Sequence, residues 1–379
     1  MVSLFFLTAL MSMGYGSVFT LLADIRDEFS FTSGQVGIIA AAGLATGVAS
    51  QSLLARYSDR GYAIIMMRMG LAFATAGMLW MVFATQFWEW TAARLILGLG
   101  SGMVGPAVRR IVITRDPQNL GINLGRQTSF DVAGFILGPV VAAGLSTLFG
   151  LRAPFLFLCI TYAIVIPLVA RIAPDHDTTA SDTPHRVREL LRLPAVQSTI
   201  MAAVAFYLTI GMFEALWAIL LSDLDAPTWL IGVTLSLFTM PMLVFAPKGG
   251  ALAQRKGPIN IVTLSVAVAA FSTFIYGVSP LWVIIIFSGI HAVADAYTMP
   301  ANQVAMAIAS PPEQIAAGQG LLGAIGLAVA AVSALAGAAI YDAYGRTAIF
   351  TGTAIAMMIC VLIARQRWRA QPALADIVD

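Results

Sequence analysis

Lysine is almost missing from this chain: Lys248 and Lys256 are the only two, and the other 19 basic residues are arginine. Histidine occurs three times and cysteine twice. So few ligating side chains, at no clustered spacing, predict no metal centre. Cys159 and Cys360 both lie inside apolar runs, so a disulfide framework is not expected. Charge of either sign is scarce: 11% of the 379 residues are Asp, Glu, Lys or Arg, against roughly 25% in soluble domains. That excludes an ordinary water-soluble fold. No glycine-rich loop follows a strand pattern, which excludes a phosphate-loop nucleotide engine. No nucleophile–base set stands out, so the chain reads as a non-enzyme without cofactors.

What is present is apolar. Hydrophobic residues make up 59% of the chain and mean hydropathy is +0.86, the composition of an integral membrane protein. A membrane-crossing helix needs about 20 apolar residues. Twelve such runs can be read, near 2–22, 34–54, 62–84, 87–112, 126–149, 153–171, 197–221, 228–250, 258–278, 281–309, 315–340 and 347–364. The first has no basic leader and no small-residue cleavage site, so it reads as a retained span rather than a signal peptide. The chain begins almost inside it, which leaves an earlier start open. One long polar link follows the sixth run. It divides the sequence into a six-helix bundle at 1–172, a cytoplasmic linker at 173–196 and a second six-helix bundle at 197–379.

With that link in the cytoplasm, seventeen of the 21 Arg and Lys residues fall on the cytoplasmic side, three fall outside, and Arg94 lies within a span. This asymmetry predicts a multi-pass protein of the inner or plasma membrane with both termini cytoplasmic. The arginine-rich loops are topology signals beside anionic lipid, not a nucleic-acid surface. In the linker, "HRVRELLRL" reads either as a short basic helix on the membrane or as a solvated tether.

The halves repeat. "LLADI" (21–25) parallels "LLSDL" (220–224), "SLLARYSDRG" (52–61) parallels "GALAQRKG" (250–257), "GPAVRR" (105–110) parallels "MPANQ" (299–303), and "FGLRAPF" (149–155) parallels "YGRTAIF" (344–350). Four pairs in one order, at offsets of 194–199 residues, predict two pseudo-symmetric bundles. Bundles of that kind suggest a transporter with its site near the midplane.

Three patterns in these runs resemble the major facilitator superfamily over essentially the whole chain. The loop after the second run carries Arg56, with Ala55 where the family has an acid and Asp59 one turn further on; its second copy has Gly250, Leu252, Arg255 and Gly257, with Gln254 at the acid position. The family's acid helps latch the cytoplasmic side. "RLILGLGSG" presents Arg94, Gly98, Gly100 and Gly102, like the family's arginine–glycine element linked to proton coupling. "GRQTSFDVAGFILGPVVAAG" presents Gly125, Gly134, Gly138 and Pro139 at the family's antiporter spacings, with Ala142 and Ala143 for its last glycines. The resemblance implies the twelve-helix all-α fold and points to exchange of a solute for protons, with the proton gradient as energy source.

The residues themselves supply the rest. At about 100° per residue, Asp131, Gly134, Gly138 and Ala142 share one helix face. Small residues four apart let helix backbones approach closely in lipid. Packing alone and proton exchange both remain open for this face, as do a salt bridge and proton carriage for Asp131. Arg94 requires an acid partner, with Glu89 as the candidate. Glu214 has no basic neighbour in its own helix; Tyr207, Phe213 and Trp217 around it suit an apolar or cationic solute. His291 and Asp295, one turn apart, form either a proton relay or a self-satisfied packing pair, on a face shared with Ser288 and Asn302. These residues predict proton-coupled efflux of a small organic solute by a monomer in the bilayer. Import or facilitated passage of sugars, organic acids or amino acids is the alternative, and a non-transporting receptor or scaffold the third.

Overall fold

In the computed structural model, residues 1–170 and 187–370 are described. Among them the order is α1 (Val2–Thr20), α2 (Leu22–Phe29), α3 (Ser33–Tyr57), α4 (Ala63–Phe83), α5 (Phe87–Arg115), α6 (Leu120–Phe149), α7 (Ala153–Ala170), α8 (Val187–Leu190), α9 (Pro194–Ser222), α10 (Thr228–Leu237), α11 (Met240–Lys256), α12 (Pro258–Val278), α13 (Leu281–Ala309) and α14 (Ile315–Arg369). No strand occurs among the described residues. Most of the linker lies outside them, as does the start of the expected surface helix.

The helix boundaries have local causes. α3 opens on a capping box: the Thr32 side chain accepts from the Gln35 amide, and Gln35 Oε1 accepts from the Thr32 amide. α3 and α4 are parted by a five-residue segment, Ser58–Tyr62, in which Gly61 takes a φ of +85°. α14 is broken at Gly345, with a φ of +76°. Both angles favour glycine, which has no Cβ to clash.

Nine helical runs among the described residues are long and apolar enough to cross a membrane, and Ala153–Pro167 is a shorter apolar helix. Two of the nine contain the breaks just described. Divided there, and with the short helix added, they give twelve segments, consistent with the twelve read from the sequence. The outer surface is oily: Leu335 is 77% exposed, Leu148 75% and Phe149 73%.

The described residues form two compact units. One comprises 1–115, 130–170 and 312–324; the other comprises 116–129, 187–311 and 325–370. In the first, α3 and α4 pack on α5, where Gly70 and Gly100 each face the other's carbonyl. The Tyr162 hydroxyl donates to the Leu10 carbonyl and ties α7 to α1. In the second, α11 and α12 pack on α13. Its core gathers Met212, Leu216, Trp217, Tyr276 and Phe350.

Candidate functional site

In the first unit α5 carries Arg94 into the core, where it is 0% exposed. Glu89 is not its partner. That carboxylate accepts from the amides of Thr85 and Gln86 at the helix start, at 2.8 and 2.9 Å. Arg94 instead reaches the carbonyls of Ile39 and Ala40 at 3.4 and 3.5 Å, and its guanidinium lies over the rings of Tyr15 and Phe19 at 5.3 and 5.1 Å. Its Nη1 has no partner among the described residues. No carboxylate pairs with it among the described residues. Gly43 makes room: a side chain there would strike the guanidinium. Ser101, two turns along α5, donates to the Tyr15 hydroxyl, which donates to the Gly43 carbonyl. This side of α5 points at α1 and α3.

On α6 the shared small-residue face packs against α1. Side chains at Gly134 or Gly138 would collide with the carbonyls of Ala9 and Met13. Pro139 cannot donate to the Phe135 carbonyl, and Gly16 of α1 lies against that carbonyl. Ser17 donates to the Gly138 carbonyl at 3.0 Å. One turn up from Gly134, Asp131 accepts from Ser12. Gly125, at the other end of the same motif, belongs to the second unit and lies against the Ala246 carbonyl of α11.

In the second unit, α13 presents His291 and Asp295, 2% and 1% exposed. His291 Nε2 lies 3.6 Å from Asp295 Oδ1, beyond hydrogen-bond reach. His291 Nδ1 shares a hydrogen bond with the Tyr276 hydroxyl at 3.1 Å. Among the described residues Asp295 Oδ2 has no partner, and neither amide atom of Asn302 has one. Aromatic rings close around the imidazole: Tyr276 stacks on it, Phe238 meets it edge-on, and Phe213 stacks between Phe238 and Trp217. Trp217 donates to Thr234 at 2.9 Å. Thr209, Met212 and Phe350 complete a small cavity beside His291.

Glu214 is on the exposed side of α9, without a hydrogen-bond or ion-pair partner among the described residues, while Trp217 is 1% exposed. Phe213 and Trp217 gather at His291. Tyr207 packs on Phe206 and against Gly326.

A further pair of contacts sits at the helix connections. Asp59 accepts from the amides of Ala316 and Ala317 at 2.8 Å each, and from Arg110 Nε at 3.0 Å. It thus caps the start of α14 and pairs with a buried arginine. Burial pushes its carboxyl up to about 6, against the opposing pull of those amides and of Arg110. In the second unit Gln254 does the matching work at the start of α6: its Oε1 accepts from the Gly121 amide, and its Nε2 donates to the carbonyls of Pro117 and Gln118. The sequence reading put the family's acid position at Ala55; Asp59 is the residue that makes these contacts. Arg110 and the capping role of Gln254 were missed. The signal was available, since 195 residues separate both Asp59 from Gln254 and Gly121 from Ala316. Arg56 is exposed, its guanidinium 5.2 Å from the Tyr57 ring. Arg255 is exposed at the end of α11, and Gly257 joins it to α12. Among the described residues, no group of three or more His, Cys, Asp or Glu is placed to hold a metal ion.

Comparison with known proteins places this architecture. A family profile described as Major Facilitator Superfamily matches residues 4–213 and 198–375. A multidrug resistance protein MdtG of Salmonella dublin is 27% identical over 261 residues, covering 64% of this chain and 63% of that protein. The protein of the same name from Proteus mirabilis is 24% identical, covering 57% and 56%. The matched region thus spans under two thirds of those relatives. The crystal structure of the human organic anion transporter MFSD10 (TETRAN) superposes with a TM-score of 0.77 at 16% identity, covering 96% of this chain and 98% of that one. FucP in its outward conformation gives 0.73 at 14% identity, covering 97% and 98%. At these identities the two structures speak for the fold alone.

Proposed function

This chain belongs to the major facilitator superfamily, and from that premise we propose that it is a secondary active transporter exporting a small organic solute in exchange for protons. The two bundles would expose the solute site alternately to each side of the membrane. The reading places the chain in a bacterial inner membrane with both termini cytoplasmic, working as a monomer and energised by the proton gradient without a cofactor.

One observation carries it. Asp295 is fully buried in a helix that crosses the membrane, has one oxygen unpartnered among the described residues, and sits beside His291 inside an aromatic enclosure. Ionisable groups at that depth are expensive and are characteristically retained for ion or substrate pathways. Asp131 is a second carboxylate, half-buried on the α1–α6 contact. The relatives named for multidrug resistance support export of drug-like solutes.

The experiment uses everted vesicles with an imposed proton gradient followed by a pH-sensitive dye. Lipophilic cations, antibiotics, sugars and amino acids are added in turn to vesicles holding wild type, Glu214→Gln, Asp131→Asn or Asp295→Asn. The expected result is a compound that collapses the gradient in wild type and fails to do so in at least one variant. No dye response and no labelled-solute flux in either direction would remove the proposal and favour a non-transporting role.

A second reading rests on Arg94, a buried cation with no carboxylate partner among the described residues. Such a group suits a solute bearing a carboxylate, which favours import or facilitated passage of an organic acid. Labelled organic-acid uptake that Arg94→Gln abolishes, with no dye response to cations, would select that reading.

A further inference from the structure

The side of α13 opposite His291 and Asp295 is open and oily. Ile286, Ile290 and Val293 follow one another at helical spacing and share a groove of about 600 Å³ with Leu264 and Val268 of α12. That volume is in the range of small-ligand sites, roughly 300–1,000 Å³. The walls are bare: Leu264 is 67% and Ile286 63% exposed. Gly289 lies on the groove, and a side chain there would meet nothing within 4 Å.

One end of the groove is marked by charge. Leu252 of α11 lines it. Arg255 and Lys256 follow three and four residues later, so they continue the same helix face, and both are exposed. On α12, exposed Asn260 precedes Leu264 by four residues and donates its amide to the Lys256 carbonyl at 3.0 Å. An apolar channel thus runs up to two cations and an amide at the membrane surface.

We propose that this groove binds one acyl chain of an anionic phospholipid, whose phosphate is held by Arg255 and Lys256. The chain supplies apolar length for the channel, and the headgroup supplies the negative charge its mouth requires. A cationic solute would be repelled at that mouth, and a neutral lipid would leave both charges unanswered. A basic residue near an anionic surface contributes about fivefold in affinity. Selectivity for the anionic lipid therefore reaches an order of magnitude.

The test is native mass spectrometry of the whole protein released from nanodiscs of phosphatidylglycerol and phosphatidylcholine in equal parts. Gly289→Leu fills the groove in open space; Arg255→Gln with Lys256→Gln removes the headgroup partners. Wild type is expected to retain phosphatidylglycerol about tenfold over phosphatidylcholine. Gly289→Leu should lower retention of that lipid severalfold, and the double variant should erase the preference. Equal retention of both lipids by wild type overturns the proposal, as does a preference that survives both variants. Loss of retention in Gly289→Leu with the preference intact in the double variant overturns its anionic part.

Discussion

A carboxylate that packs and a carboxylate that carries a proton differ in what they leave unpaired. Among the described residues Asp295 leaves an oxygen free, stands 3.6 Å from an imidazole that Tyr276 already engages, and has no cation closer. A packing residue would satisfy both oxygens, because an unmet buried polar atom costs about 1–3 kcal/mol. Asp295→Asn keeps the shape and removes the titratable group. The expected outcome is an unfolding midpoint held or raised, since a buried amide costs less than a buried charge, together with gradient collapse reduced about tenfold or more in vesicles. A lowered midpoint with unchanged flux would make the pair a structural one. That His291 and Asp295 share a face was legible from their spacing. That the rings of Phe213 and Trp217 turn toward His291 was not. α9 is apolar almost all round, and pattern alone cannot separate a lipid-facing side from a packed one when both are oily.

At the scale of the element, α6 shows how one motif acts on two neighbours. Gly134 and Gly138 admit the backbone of α1, while Gly125 admits that of α11. The four-residue spacing announced a close contact; its partners are tertiary facts that no spacing contains. The same helix supplies its own control in Gly144, where an added side chain would meet nothing within 4 Å. Gly134→Leu is expected to force α1 away and lower stability by about 1–3 kcal/mol. Gly144→Ala should leave it unchanged or raise it by about 0.5–1 kcal/mol, the intrinsic gain of alanine over glycine in a helix. Thermal unfolding of both variants in one detergent checks this. Equal losses would mean that the glycines serve the flexibility of α6 rather than its contact with α1. Arg94 teaches a related lesson. Its need for compensation was legible, but backbone carbonyls and ring faces meet that need instead of Glu89.

Over the whole molecule, the repeat makes two helix caps and then distinguishes them. Asp59 and Gln254 occupy matching places and receive amide donors from matching helix starts, yet only one can titrate. The repeat was legible as four paired fragments. Its chemical asymmetry needed the capping geometry, because a glutamine at an acid's position reads as decay until its hydrogen bonds are seen. The asymmetry has a consequence in pH. The Asp59 carboxyl, ordinarily near 3.8, is held up at about 6 by burial. Between those values the folded protein keeps a proton that the unfolded chain has released. Stability from this group is therefore fully present below about pH 4 and lost as pH rises through about 6, a span of roughly 3 kcal/mol. Unfolding midpoints measured from pH 4 to 8 should fall through that window in wild type and run flatter in Asp59→Asn. Gln254→Ala should lower the whole curve by about 1 kcal/mol, the typical worth of a helix cap, and leave its slope alone. A wild-type slope that persists in Asp59→Asn would move the titrating group elsewhere. A slope that vanishes only in Asp59→Asn would leave the two caps alike in geometry and different in charge, with the pH dependence of stability carried by the cap that starts α14.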